Sequence, residues 1–229
     1  MTSTSDTGAG KAPARPKTAI FISGRGSNMV ALVEAARTPG FPADIALVLS
    51  NRADAAGLVY ASEAGIATAV VDHKLFAGNR EAFERAIDAV LVEHAVELVC
   101  LAGFLRVLTP WFVNRWAGRL INIHPSLLPA FRGLDTHARA LAANVRLHGC
   151  TVHFVTPELD DGPVLAQAAV PIVEGDTPET LAARVLVQEH VIYPAALARV
   201  ASGQAKLVDG RVVIAGDTTP ADAVLVVPT

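Results

Sequence analysis

The sequence predicts an α/β fold: an open, mostly parallel Rossmann-like sheet with helices on both faces, followed by a C-terminal β-hairpin. Three observations carry that reading. Short β-branched apolar runs alternate with helical patterns along most of the chain, a Gly-rich turn joins the first run to the first helix, and Asp209-Gly210 interrupts an alternating segment near the end. Strands alternating with helices imply βαβ units, which build parallel sheets through right-handed crossovers.

Residues 18–23 read as the first strand, Gly24-Arg25-Gly26-Ser27-Asn28 as the turn, and 29–37 as the first helix. Residues 45–50 and 67–71 are strand-like, with a helix expected over 54–63. Over 79–94 the apolar residues Phe83, Ala86, Ile87, Val90 and Leu91 recur at helical spacing, while Glu81, Glu84, Arg85 and Asp88 fall off that stripe. Buried strands follow at 98–101 and 120–123, separated by a helix over 111–116. The span 125–149 carries prolines and glycines early and then a short Ala-rich helix, so it is a long excursion between two strands. Residues 150–156 and 164–170 are strand-like around the turn-rich 157–162. The last long helix, 177–200, opens on Thr177, Pro178 and Glu179 as a capped start, and 206–214 form the hairpin.

Composition narrows the function classes. The 229 residues carry 19 Lys and Arg against 22 Asp and Glu, a net charge of −3, so there is no overall basic field for nucleic acid. A hydrophobic content of 52% with 18% charged residues excludes a disordered chain. Cys100 and Cys150 sit beside Val-rich runs without a CxxC partner or a His at metal-ligand spacing, and read as reduced core thiols of a cytoplasmic protein. The most apolar stretch, 96–113, is broken by Glu97, Arg106 and Pro110, too often for the roughly 18 uninterrupted apolar residues of a membrane span. Residues 1–17 have no apolar signal-peptide core and read as a flexible leader, 18–214 as one domain and 215–229 as a tail.

Four places could carry chemistry. Gly24 to Asn28 lie at a strand-to-helix junction, where free helix amides together with Ser27 and Asn28 suit an anion; the alternative is a plain βα turn. Met29 stands where a dinucleotide fingerprint needs its third Gly, and no GK[ST] ending is present, so neither of those phosphate motifs applies. In Asn122-Ile-His124-Pro-Ser126, strand alternation sends Asn122 and His124 to one face, and Pro125 ends the strand at its carboxyl edge, where α/β sheets gather ligands. Two polar groups in an otherwise apolar strand read as a catalytic pair, because burying both without partners is costly. Asp160, in Glu158-Leu-Asp160-Asp161-Gly162-Pro163, could approach a His and favour its protonated form, or belong to an ordinary acidic turn. Gln188-Glu189-His190 reads by default as a solvated helix face.

These segments recur together. Ser23-Gly-Arg-Gly-Ser-Asn28, Leu101-Ala-Gly-Phe104 with Arg106, Asn122-Ile-His124-Pro-Ser-Leu-Leu-Pro129, His153-Phe-Val with Leu159-Asp160, and Gln188-Glu-His190 with Tyr193-Pro194 closely resemble the phosphoribosylglycinamide formyltransferases. The resemblance covers residues 18–214. It implies transfer of a formyl group from the co-substrate 10-formyltetrahydrofolate to the amine of glycinamide ribonucleotide in purine biosynthesis, without a metal. It further implies Asn122, His124 and Asp160 as the catalytic trio, Gly26, Ser27, Asn28, Gln188 and Glu189 around the ribonucleotide, and Arg80, Leu105, Arg106, Val107, Leu108, Asn122, Thr156 and Asp160 along the folate. Both partners are small molecules, with no nucleic acid or membrane, and the protein would be a monomer or homodimer.

Three positions depart from the family pattern: Arg25 stands where Asn is usual, Asp135 where His is expected, and Asp161 where a Gly often follows the catalytic Asp. Methionyl-tRNA formyltransferases and formyltetrahydrofolate deformylases would need an extra C-terminal or N-terminal domain, for which this length leaves no room. A non-catalytic nucleotide-sensing module is opposed by the intact trio.

Overall fold

The computed structural model describes residues 15–216; of the expected leader and tail, residues 1–14 and 217–229 lie outside the described residues. The elements run β1 (Lys17–Ile22), α1 (Ser27–Ala36), β2 (Asp44–Ser50), α2 (Gly57–Glu63), β3 (Ala67–Val70), a 3-10 turn (His73–Phe76), α3 (Arg80–Glu93), β4 (Leu98–Leu101), α4 (Pro110–Arg115), β5 (Leu120–His124), α5 (Thr136–Ala142), β6 (Leu147–Phe154), β7 (Val164–Pro171), α6 (Pro178–Ala201), β8 (Ala205–Val208) and β9 (Arg211–Ile214).

Seven strands form one sheet in the order β3-β2-β1-β4-β5-β6-β7. The first five pair in parallel, whereas β6 runs antiparallel to both β5 and β7. The expected hairpin is present as β8 and β9, around Asp209 and Gly210.

β1 shows why the centre of the sheet reads as an unbroken apolar run. Ile20 and Ile22 pack on one face with Met29 and Leu32 of α1 and Leu181, Val185 and Leu197 of α6. Ala19 and Phe21 pack on the other with Phe83, Ile87 and Leu91 of α3 and Phe112 of α4. A strand covered on both sides has no solvent face, so alternation disappears. Phe21 touches Phe104 and Phe112 at ring separations of 5.2 and 6.2 Å, and truncating such a residue to Ala costs roughly 3–5 kcal/mol.

Two element starts lie three residues from the sequence reading. α2 starts at Gly57 and not at 54, because Arg52 binds both carboxylate oxygens of Asp54 and the Ala55 amide bonds the Arg52 carbonyl, closing a turn first. β6 starts three residues early, at Leu147, because its pairing with β7 extends to Pro171. The capped start expected for α6 at Thr177 is present, as a reciprocal Thr177–Thr180 pair in which the hydroxyl of Thr180 reaches back to the cap amide.

Strand order reverses between β1 and β4, the crevice in which open α/β sheets bind ligands. The Gly-rich turn after β1, the 102–109 segment after β4 and the end of β5 therefore open on the same edge.

Candidate active site

A cleft of about 840 Å³ lies along that edge. One wall is Gly103 to Leu108, another Val155 to Asp160, and Asn122 with His124 form part of the lining between them. Leu105, Val107, Leu134 and Leu159 expose apolar surface at its margins.

His124 projects from the last residue of β5, with its ring held at both edges. Nε2 lies 3.1 Å from the Phe131 carbonyl, and Nδ1 lies 3.4 Å from a carboxylate oxygen of Asp160. Both side chains are about nine-tenths buried, so their electrostatic coupling is stronger than between solvated groups. Asp160 comes from the loop between β6 and β7 in a left-handed conformation, φ 49°, and its carboxylate accepts the Gly133 N–H at 2.8 Å. Asp and Asn tolerate that region best among residues with a side chain. The loop also needs Gly162, because a Cβ there would meet the Phe154 carbonyl oxygen at 1.7 Å.

Asn122 lies two residues before His124 on the same strand face, and β6 lies beside it in antiparallel register, with His153 directly opposite. His153 Nδ1 is 2.8 Å from the Phe154 carbonyl and Nε2 is 3.2 Å from Asn122 Nδ2. Burial lowers the His153 pKa below the ordinary histidine value, a shift only partly opposed by the Phe154 carbonyl and the Asp160 charge. The ring is then neutral at pH 7, Nδ1–H donates to the carbonyl, and Nε2 accepts from Asn122. That bond fixes the amide of Asn122.

At the far end of the cleft Asn28 donates to a carboxylate oxygen of Glu189 at 2.6 Å. Burial raises the Glu189 pKa, and the Asn28 bond opposes the rise. The solvated reading of this helix segment fails for Glu189, which is 7% exposed. Leu181, Val185, Glu189 and Tyr193 are all buried at four-residue spacing on α6, so Glu189 sits on the stripe that faces the sheet.

The remaining candidates divide. Leu105, Arg106, Val107, Leu108 and Thr156 line the cleft together with Asn28, Asn122, His124, Asp160 and Glu189. Gly26, Ser27, Gln188 and Arg80 do not line it. Gly26, at φ 74°, is the N-cap residue of α1, and no side chain caps that helix among the described residues, which leaves its first amides free to face an anion. Arg80 donates to the Val107 carbonyl and so braces the wall from behind. Ser23 also braces that wall, accepting the Leu105 N–H at 2.9 Å and donating to Asn51 at 2.6 Å.

Sequence reading alone did not assign roles to His153, Phe131, Arg132 or Gly133. His153 had a signal, as a polar residue in a buried strand on the register of Asn122. Phe131 and Gly133 act through backbone groups in an irregular segment, which no side-chain pattern announces, and Arg132 acts through a guanidinium whose partner Asp161 is 29 residues away. Among the described residues no group of three or more His, Cys, Asp or Glu is arranged to hold a metal ion.

Residues 16–197 match the formyl transferase family, so the chain belongs to that family. Within it, the chain is 45% identical over 204 residues to the phosphoribosylglycinamide formyltransferase of Escherichia coli, an alignment covering 88% of this chain and 94% of that one. It is 50% identical over 195 residues, 85% of its length, to the bovine trifunctional purine biosynthetic protein adenosine-3, of which it spans only 19%. The solved phosphoribosylglycinamide formyltransferase of Coxiella burnetii superposes with a TM-score of 0.84 at 43% identity, covering 89% of this chain and 95% of that one.

Proposed function

We propose that this protein transfers the formyl group of 10-formyltetrahydrofolate to the amine of glycinamide ribonucleotide, producing formylglycinamide ribonucleotide and tetrahydrofolate. The observation that carries the reading is the meeting of Asn122, His124 and Asp160 in one cleft, with Nδ1 of His124 3.4 Å from the Asp160 carboxylate.

The amine attacks the formyl carbon, and the carbonyl oxygen gains negative charge as the tetrahedral adduct forms. Asn122 is suited to stabilise it, because its amide is already oriented by His153 and pays no reorganisation cost at the moment of reaction. Of the two ring nitrogens of His124, Nε2 is engaged by the Phe131 carbonyl, so any contact of the ring with that oxygen would be made through Nδ1–H, on the edge beside Asp160. Asp160 supports a positive charge on that ring. It also receives, directly or through water, the proton that the attacking nitrogen must lose. The adduct collapses as the carbon–nitrogen bond to the folate breaks and that nitrogen takes up the proton held by Asp160, directly or through water, which restores the carboxylate. No bond to the enzyme is formed.

The ribonucleotide phosphate suits the amides of Gly26, Ser27 and Asn28, which would bring its amine toward Glu189, with Gln188 nearby on the same helix. The folate suits the wall of Leu105, Arg106, Val107 and Leu108 facing Thr156, with Arg80 behind it. Both partners are small molecules. No helix among the described residues is long and apolar enough to cross a membrane. Two buried free thiols, Cys100 and Cys150, support a cytoplasmic setting. A monomer or a homodimer is our expectation, to be read from the mass in solution.

The test is to mix the purified protein with 10-formyltetrahydrofolate, with and without glycinamide ribonucleotide, and follow deformylated folate. The proposal expects product only when the ribonucleotide is present. Release of formate without it would identify a deformylase instead.

A further inference from the structure

Three consecutive residues of the excursion after β5 touch three acidic or catalytic side chains. The Phe131 carbonyl holds Nε2 of His124, the Arg132 guanidinium pairs with Asp161, and the Gly133 N–H donates to Asp160. We propose that the Arg132–Asp161 ion pair is a clasp that positions the catalytic His124 and Asp160, making Arg132 and Asp161 positioning residues for the reaction proposed above, on which this inference rests.

The physical case begins with the loops. Residues 125–135 have no helix or strand of their own, so their place depends on a few discrete contacts. Phe131, Asp135 and Asp160 are all in the left-handed backbone region, at φ 55°, 56° and 49°. Non-Gly residues hold such angles only where surrounding contacts over-determine them. Arg139 fixes the excursion from the helix side, donating to the carbonyls of Arg132 and Leu134 at 2.5 and 3.3 Å. Facing the β6–β7 loop, the tie consists of Gly133 with Asp160 and Arg132 with Asp161. The second is the only one of the two that does not use a catalytic carboxylate, so it can hold the loops together while Asp160 exchanges protons.

An isolated surface pair is worth little, and this one is about 40% exposed on each side. Its leverage comes from place. The clasp lies between the two backbone groups that orient His124 and Asp160, so a small loss of loop order misaligns both at once. Asp161 is also the position where, by the family resemblance, a Gly often stands, and Gly cannot form such a pair.

The experiment uses the full chain with Arg132→Gln, Asp161→Asn and the reversed pair Arg132→Glu with Asp161→Lys. For each single variant we expect turnover to fall about 3–10-fold with both KM values within about 2-fold, and the reversed pair to regain most of the loss. Wild-type turnover should fall toward that of the single variants as salt rises, while theirs stays flat. Amide hydrogen exchange at Gly133, read without any substrate, should quicken in both single variants. Unchanged exchange at Gly133, or unchanged turnover in variants of an enzyme that transfers formyl, overturns the clasp. Absence of formyl transfer in the wild type, with Gly133 exchange still quickened in the variants, overturns the proposed reaction while the loop tie stands.

Discussion

Asn28 and Glu189, 161 positions apart in the chain, meet at 2.6 Å in the lining of the cleft, the amide donating to the carboxylate. The bond ties the start of α1 to the middle of α6 and gives a desolvated carboxylate its hydrogen-bond partner. Replacing Asn28 with Ala leaves that carboxylate buried and unpaired, at an expected cost of about 1–3 kcal/mol near neutral pH. Glu189 has a raised pKa in the folded protein, so its contribution is fully present below the ordinary glutamate value and is lost as pH rises through the folded one. The wild-type-to-variant gap in urea midpoint should therefore be wider at pH 8 than at pH 4.5. Equal gaps would show that Glu189 does not titrate there.

Asn122→Ala and His124→Ala should each lower turnover by at least ~10²-fold, the usual loss when a donor to a developing oxyanion is removed. His153→Phe should give a smaller loss, on the order of 10-fold, since the Asn122 amide remains but is no longer oriented. Steady-state kinetics on the three variants would check the order; a larger loss for His153→Phe than for Asn122→Ala would put the imidazole of His153 in the chemistry itself.

Asp160→Asn isolates charge from shape. Asn keeps the left-handed backbone and can still accept the Gly133 N–H, so stability should change by less than about 1 kcal/mol, whereas turnover should drop ~10²-fold because the charge facing His124 is gone. A thermal melt beside the kinetic assay separates the two effects. A large loss of stability would mean that the carboxylate chiefly holds the loop.

His148 should make the fold acid-sensitive. It is 1% exposed, and burial, with His137 and His124 nearby, lowers its pKa to about 4, a shift only partly opposed by the Pro125 carbonyl. The unfolded chain binds this proton near pH 6.5 and the folded one only near 4, so stability is lost as pH falls between those values, on the order of 3 kcal/mol once both are passed. Urea midpoints at pH 7 and pH 5 should differ more for the wild type than for His148→Leu. Parallel pH profiles would assign the acid sensitivity to other groups.

The order of the strands and helices was legible because burial writes period into sequence: β1 reads as a solid apolar run since both its faces are covered, and α3 shows its stripe since one face is. Asn122 and His124 were legible for the same reason, two polar residues on one face of a buried strand. Pattern alone did not separate Asp160 from an ordinary turn or Glu189 from a solvated helix face, and only the family resemblance singled them out before the fold was seen. Their roles depend on what stands opposite them, and His124, Asn28 and the 131–133 backbone come from remote segments. A sequence records what each residue must bury, because that cost is local. Which groups share a volume is decided by strand order, by the antiparallel return of β6 and by loop paths held by backbone contacts, and those distances exist only in the tertiary structure.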